Sequence, residues 1–314
     1  MNGQSSRGLA TAIGVLAILF WACLALLTTL SRVIPTFEAL AVTFAIGALT
    51  LTLAFLPRGG VAGLRAAFRA WPLRAWMLAI GGIFIYHALY FIAFRLAPAG
   101  PVTVINYLWP LAIVVLAGLL PGGDSRLGWP QLFGGLVGFG ATVLLVGGQA
   151  DLAVSSGAGV GYAAALACAF IWGLYSVLNN RLKAPGSVPM IGVCAAVALL
   201  AALGHVVTGE PLVIPDRPTA IALLLLGIGP VGLAFAAWDH ATKAGNIAML
   251  GTLSYATPPL SMILLVAAGA AEWSWRLVAA TLLVVAGAAL AALPAGRRRR
   301  HIIEGGHHGA EHLR

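Results

Sequence analysis

The chain has 314 residues, 61% of them hydrophobic and 9% charged, with a mean hydropathy of +0.97 and a formal net charge of +9. A soluble domain carries about 25% charged residues, which excludes water as the solvent for most of this surface. The three cysteines, Cys23, Cys168 and Cys194, show neither metal nor redox spacing; they read as small packing residues, and no metal or cofactor is expected.

Ten stretches of 19 to 29 residues lack Asp, Glu, Lys and Arg. In chain order they lie between Arg7 and Arg32, Glu38 and Arg58, Arg74 and Arg95, Arg95 and Asp124, and Arg126 and Asp151. The second five lie between Asp151 and Arg181, Lys183 and Glu210, Arg217 and Asp239, Lys243 and Glu272, and Arg276 and Arg297. A helix needs about 20 apolar residues to cross a hydrocarbon core. Runs such as Leu223 to Leu226 do not alternate as barrel strands must. The predicted fold is therefore all-α and integral to the membrane, with ten transmembrane helices. A soluble helical repeat would still need charges on its outer faces. The first stretch lacks a cleavage pattern and reads as a membrane helix, not a signal peptide.

Fourteen of the 18 Lys and Arg fall on the side that holds both ends of the chain, and Arg32, Arg95, Arg217 and Arg276 fall on the other. That asymmetry predicts cytoplasmic termini in a bacterial inner membrane. Residues 58–71, with Pro57, Gly59 and Gly60 at their start, read as a cytoplasmic loop that can include a short interfacial helix. The tail over 295–314 carries Arg297 to Arg300 directly after a span, so it is expected to be disordered and to meet anionic lipid rather than nucleic acid.

Five spans per half require a duplicated second half to enter the membrane inverted. Leu19-Phe20-Trp21 in the first helix matches Phe170-Ile171-Trp172 in the sixth, and Asn106 to Pro110 in the fourth matches Ser254 to Pro258 in the ninth. Ahead of the latter pair, Ala99-Gly100 and Ala244-Gly245 are expected to open the two helices. The expected organisation is a first five-helix repeat over 1–150, an inverted second repeat over 151–294, and the tail. Such halves suit alternating access, and a monomer suffices.

Pro110 and the pair Pro258-Pro259 fall at mid-helix, where a proline kinks a helix at a cost of ~3 kcal/mol. Aromatic and polar residues collect at the same depth: Trp21, Tyr86, His87, Tyr90, Tyr107, Trp109, Trp172, Tyr175 and Asn179. Trp71, Trp76, Trp129, Trp273 and Trp275 sit at span ends and read as an interfacial belt. Trp21, Tyr86, Tyr107, Trp109 and Trp172 do not; their N–H and O–H groups need partners, which a hydrated cavity supplies and dry helix packing must supply otherwise. Glu38 and Asp239 fall at helix ends and read as solvated there. With His87 the only deep ionisable group, proton coupling through a central carboxylate has no visible carrier, and facilitated passage is expected.

Taken over residues 8–293, the pattern resembles the drug/metabolite transporter superfamily, EamA type. Asn106-Tyr107-Leu108-Trp109-Pro110, Phe235-Ala236-Ala237-Trp238 and Ser254-Tyr255-Ala256-Thr257-Pro258 are similar to the YddG-type aromatic amino acid exporters. The resemblance implies export of aromatic and other neutral amino acids through a central cavity. It implies cavity positions at Asn106, Tyr107, Trp109, Trp172, Trp238 and Tyr255. Asp239 departs from the uncharged Asn expected there. The absence of a mid-depth Arg or Lys argues against phosphorylated solutes. Efflux of cationic drugs is the second reading, and a membrane enzyme or scaffold a third of another class; an enzyme would need an acid–base pair or nucleophile in mutual reach.

Overall fold

The structure, a computed structural model, describes residues 3–97, 99–121, 128–147, 158–270 and 272–293. Among them every regular element is a helix. The first four are α1 (Gly3–Ala22), α2 (Leu24–Leu30), α3 (Thr36–Ala70) and α4 (Leu73–Leu96). Next come α5 (Ala99–Asn106), α6 (Trp109–Leu119), α7 (Trp129–Gly147), α8 (Ala158–Leu182) and α9 (Met190–Thr208). The last five are α10 (Arg217–Leu226), α11 (Ala234–Ala244), α12 (Ile247–Leu253), α13 (Thr257–Ala267) and α14 (Trp275–Ala292). Among the described residues eight segments are long and apolar enough to cross a membrane, several made of two consecutive helices. Large apolar side chains such as Leu199, Val206 and Leu282 are exposed on the outside, as expected where lipid is the solvent. The chain is a membrane protein.

Helices pair as α7 with α14, α3 with α9, α4 with α8, and α1 with α11. Glycines permit the closest approaches. A Cβ on Gly134 would clash with the carbonyl oxygen of Gly287, and one on Gly287 would lie 2.7 Å from that of Gly134. Small residues at such crossings let backbones touch and gain van der Waals contact, the main attraction between helices in lipid.

Four long segments are interrupted, and the interruptions correct the expected kinks. Between α5 and α6 the chain makes a turn at Tyr107-Leu108, so that Pro110 lies in the first turn of α6. Between α12 and α13 a 3₁₀ turn over Ser254–Ala256 puts Pro258 and Pro259 in the first turn of α13. At those positions no intrahelical bond from the proline nitrogen is required, so the ~3 kcal/mol of a mid-helix proline does not arise. Between α10 and α11 a π-helical turn over Gly227–Leu233 accommodates Pro230.

The connection expected after Arg58, a loop with room for a short interfacial helix, is helical throughout except at Gly60. α3 runs on to Ala70 and bends only at Gly60, whose φ of 61° belongs to a region that glycine occupies without a Cβ clash. Ala99 opens α5 as expected, whereas Gly245 caps the end of α11.

Candidate functional site

Four tryptophans from four segments meet at the centre of the molecule. Trp21 of α1 lies 6.2 Å from Trp109 of α6, 5.6 Å from Trp172 of α8 and 5.1 Å from Trp238 of α11, centroid to centroid. Trp109 is 5.9 Å from Trp238, and Trp172 stacks on Trp238 at 6.4 Å. Edge-to-face and offset geometries of this kind contribute about 0.5–1.5 kcal/mol per pair beyond area burial. Each ring is there for a local reason. The turn before α6 directs Trp109 inward, and the π-helical turn before α11 frees the carbonyl of Pro230, which accepts the indole N–H of Trp21 at 3.1 Å.

Phe235 and Phe44 widen the cluster. Phe235 lies 6.1 Å from Trp21 and stacks on Phe44 of α3 at 5.6 Å. His87 touches Phe44, Phe235 and Tyr86. Its Nδ1 is 2.7 Å from the Ile83 carbonyl; a carbonyl only accepts, so Nδ1 carries a proton and Nε2 is the atom left to face a neighbour. Tyr86 lies 5.4 Å from Trp172 and 6.0 Å from Tyr90, and its hydroxyl accepts from Asn106 Nδ2 at 3.2 Å. Tyr175 stands against Trp172 at 5.2 Å.

The polar groups of this cluster divide into spent and unspent. Trp21 N–H is bonded to Pro230, and Trp238 N–H donates to Ser176 Oγ at 3.1 Å. No partner among the described residues takes the N–H of Trp109 or Trp172. Asn106 Oδ1 is buried with no hydrogen-bond partner.

Three of the expected site residues fall elsewhere. Tyr255 packs with Ala141, Leu277 and Ala280, between α7 and α14, away from the tryptophans. Tyr107 is half-buried at the α5–α6 turn without a ring contact to the cluster. Asn179 points to a polar network at one end of the molecule, where its amide donates to Asp239 Oδ1 at 2.9 Å and Thr242 Oγ1 at 3.0 Å.

That network also corrects the reading of the acidic residues. Asp239 is 0% exposed, and Lys243 Nζ lies 2.8 Å from its Oδ2. Lys243 also donates to the Gly186 carbonyl at 2.9 Å and sits 4.3 Å above the Trp71 ring. Trp71 itself is buried and donates to the Pro185 carbonyl at 3.0 Å, so it does not belong to the interfacial belt. Exposed Trp129, Trp273 and Trp275 fit that belt. At the opposite end Glu38 is buried and accepts from the Val213 N–H at 3.0 Å, and Glu210 accepts from Phe37 N and pairs with Arg95 at 3.1 Å. Burial of these carboxylates is offset by hydrogen bonds and, for Asp239 and Glu210, by a cation.

A family model described as the EamA-like transporter family matches residues 8–147. A protein of Ancylobacter novellus named "Aromatic amino acid exporter YddG" is 44% identical over 93% of this chain and 100% of its own length. The chain belongs to the EamA-like transporter family. An Escherichia coli relative of the same name is 25% identical over 82% of this chain and 88% of its own. A solved crystal structure 43% identical to this chain superposes with a TM-score of 0.86, over 92% of this chain and 98% of that one. The expected EamA-type, YddG-like membership is thereby met, and the relatives that carry names are named as exporters.

Sequence reasoning missed Phe44 and Ser176. A phenylalanine or serine inside an apolar span carries no signal of which side it faces, because the whole helix circumference is apolar.

Proposed function

We propose that this protein exports aromatic and other neutral amino acids across the bacterial inner membrane, through a path at the tryptophan cluster. The carrying observation is the set of unspent polar groups inside an aromatic wall. An α-amino acid needs donors for its carboxylate, an acceptor for its ammonium group and an apolar face for its side chain. The N–H groups of Trp109 and Trp172, the orphaned Asn106 Oδ1 and the surrounding rings supply these three kinds of contact. A buried amide oxygen without a partner is costly, and a bound ammonium removes that cost. On this reading Trp21, Tyr86, His87, Tyr90, Tyr175 and Trp238 shape the path. Asn179, Tyr107 and Tyr255 act indirectly.

The same reading holds ten spans in two inverted halves, over 1–150 and 151–294, working by alternating access. Counting α1–α2, α5–α6, α10–α11 and α12–α13 as interrupted single spans supports the number ten. Exchanging the halves maps the helix pairs onto one another: α4 with α8 becomes α11 with α1, while α3 with α9 and α7 with α14 map onto themselves. Residue detail supports the exchange too. A Cβ on Gly161 would meet Ala97 N and Ala93 O, and one on Gly245 would meet Thr11 N and Ala241 O. Ala93 and Ala241 stand 148 residues apart, as do Tyr107 and Tyr255 at the two interruptions.

The test is flux of labelled tryptophan, phenylalanine and threonine into proteoliposomes holding the pure protein, with a lipophilic cation as competitor solute. The reading expects amino acid flux that Trp109→Ala abolishes and Asn106→Ala reduces about 10-fold or more, since a charge-assisted hydrogen bond contributes ~1.5–3 kcal/mol. Flux of the cation alone would replace this reading with drug efflux.

A further inference from the structure

The segment of α3 beyond Gly60 is an amphipathic arm whose charged side has no carboxylate partner among the described residues. Leu64 and Phe68 turn inward; Phe68 lies 5.2 Å from Trp76, and both rings cover Gly192 of α9. Arg65 and Arg69, one helical turn apart, are exposed on the other side, and Arg58 and Arg74 are exposed at the two ends. None of the four pairs with a carboxylate among the described residues. No Asp or Glu occurs anywhere between Glu38 and Asp124.

Exposed apolar side chains occur in the same stretch of chain: Leu53 and Val61 on α3, and Leu73 and Met77 on α4. A nucleic acid or a free phosphate has no use for such neighbours. A bilayer surface has: acyl chains cover the leucines while phosphates meet the arginines one layer further out. The bend at Gly60 turns the arm off the axis of the span, as lying at that boundary requires.

We propose that the arm over 61–70, with Arg58 and Arg74, is a binding site for anionic phospholipid head groups. The site is independent of which solute the protein moves. Its position gives it a structural consequence: Ala70 is followed by Trp71, which is bonded to Pro185 and lies under Lys243. Head groups that hold the arm therefore hold Trp71 in the polar network at that end of the molecule.

The experiment is native mass spectrometry of the full-length protein in detergent, titrated with phosphatidylglycerol or phosphatidylcholine. Phosphatidylglycerol should be retained over phosphatidylcholine. Arg65→Gln with Arg69→Gln should weaken the tightest phosphatidylglycerol adduct about 25-fold, taking about fivefold per arginine near an anionic surface. Arg65→Lys with Arg69→Lys should keep it. Glutamine in place of Arg297 to Arg300 should leave it unchanged. Phosphatidylglycerol should also raise the unfolding temperature of the wild type, and of the lysine variant, by about 2–4 °C, and not that of the glutamine variant. Equal binding of the two lipids, equal phosphatidylglycerol affinity after Arg65→Gln/Arg69→Gln, or loss confined to the tail variant would each overturn the site.

Discussion

On the proposed exchange of halves the ends of α8 and of α2 correspond, yet they are built in opposite ways. α8 ends in Asn179-Asn180-Arg181. The Arg181 guanidinium donates to the Ala117 and Leu120 carbonyls at 2.8 and 3.0 Å, which are C-terminal carbonyls of α6 without helical partners. Asn180 donates to the Thr242 carbonyl at 2.6 Å, and Asn179 to Asp239. The end of α8 is thus fastened to both α6 and α11. α2 ends in Thr28-Thr29-Leu30, has no buried residue, and Thr29 bonds back to Ala25 of its own helix at 2.8 Å. Among the described residues no side chain of α2 hydrogen-bonds to another helix; it lies against α10 and α13, with Leu27 packed on the cluster of Leu223 and Leu226. Amides and a guanidinium reach across to other helices, whereas threonine hydroxyls are satisfied within their own turn. The difference teaches that the end of α8 is held by directed polar bonds and α2 itself by contact, with the Glu38 and Glu210 bonds of that side made by α3, α4 and the segment after α9. In lipid, where apolar contact gains nothing over acyl chains, the α2 end is the easier one to part.

Breaking the fastened end should cost most. Asp239→Ala leaves Lys243 and Asn179 buried without their carboxylate and should lower stability by about 3–5 kcal/mol, read as a large fall in the unfolding midpoint of the purified protein. Asp239→Asn, which retains an acceptor for Asn179, should recover part of it. Arg181→Gln removes two charge-assisted bonds, ~1.5–3 kcal/mol each. It should raise labelling of Ser176→Cys by an impermeant thiol reagent about tenfold or more, with the native cysteines replaced. Unchanged labelling would mean that the α8 end is not sealed by Arg181. At the other end Thr29→Ala should change stability by no more than ~0.5 kcal/mol; an effect as large as that of Arg181→Gln would erase the contrast.

Much of this was legible in the residues. Charge-free runs revealed the spans because a charge inside lipid is expensive, and Trp21, Trp109 and Trp172, far from the span ends, stood out from an interfacial belt. The matched segments Asn106 to Pro110 and Ser254 to Pro258 fall at two of the four interruptions. What stayed hidden was direction. Nothing in an all-apolar helix tells that Tyr255 turns towards Ala141 while Trp109 turns towards Trp21, and Asp239 at a helix end looked solvated because its partners Asn179 and Lys243 are set by the packing of α8 on α11. The prolines were found but their effect was misjudged. Whether a proline kinks a helix or starts one depends on the turn before it, which Leu108 and Ala256 do not announce.

Pulsed electron–electron resonance across both ends tests the account most directly. One spin-label pair at Leu119 and His240 would report the α8 end, and another at Leu30 and Leu96 the α2 end, in a background without Cys23, Cys168 and Cys194. The account predicts a narrow single distance at the α8 end and a broader one at the α2 end without solute, with a second α8-end distance emerging under saturating tryptophan. A narrow α2 end beside a broad α8 end, unmoved by tryptophan, would contradict it.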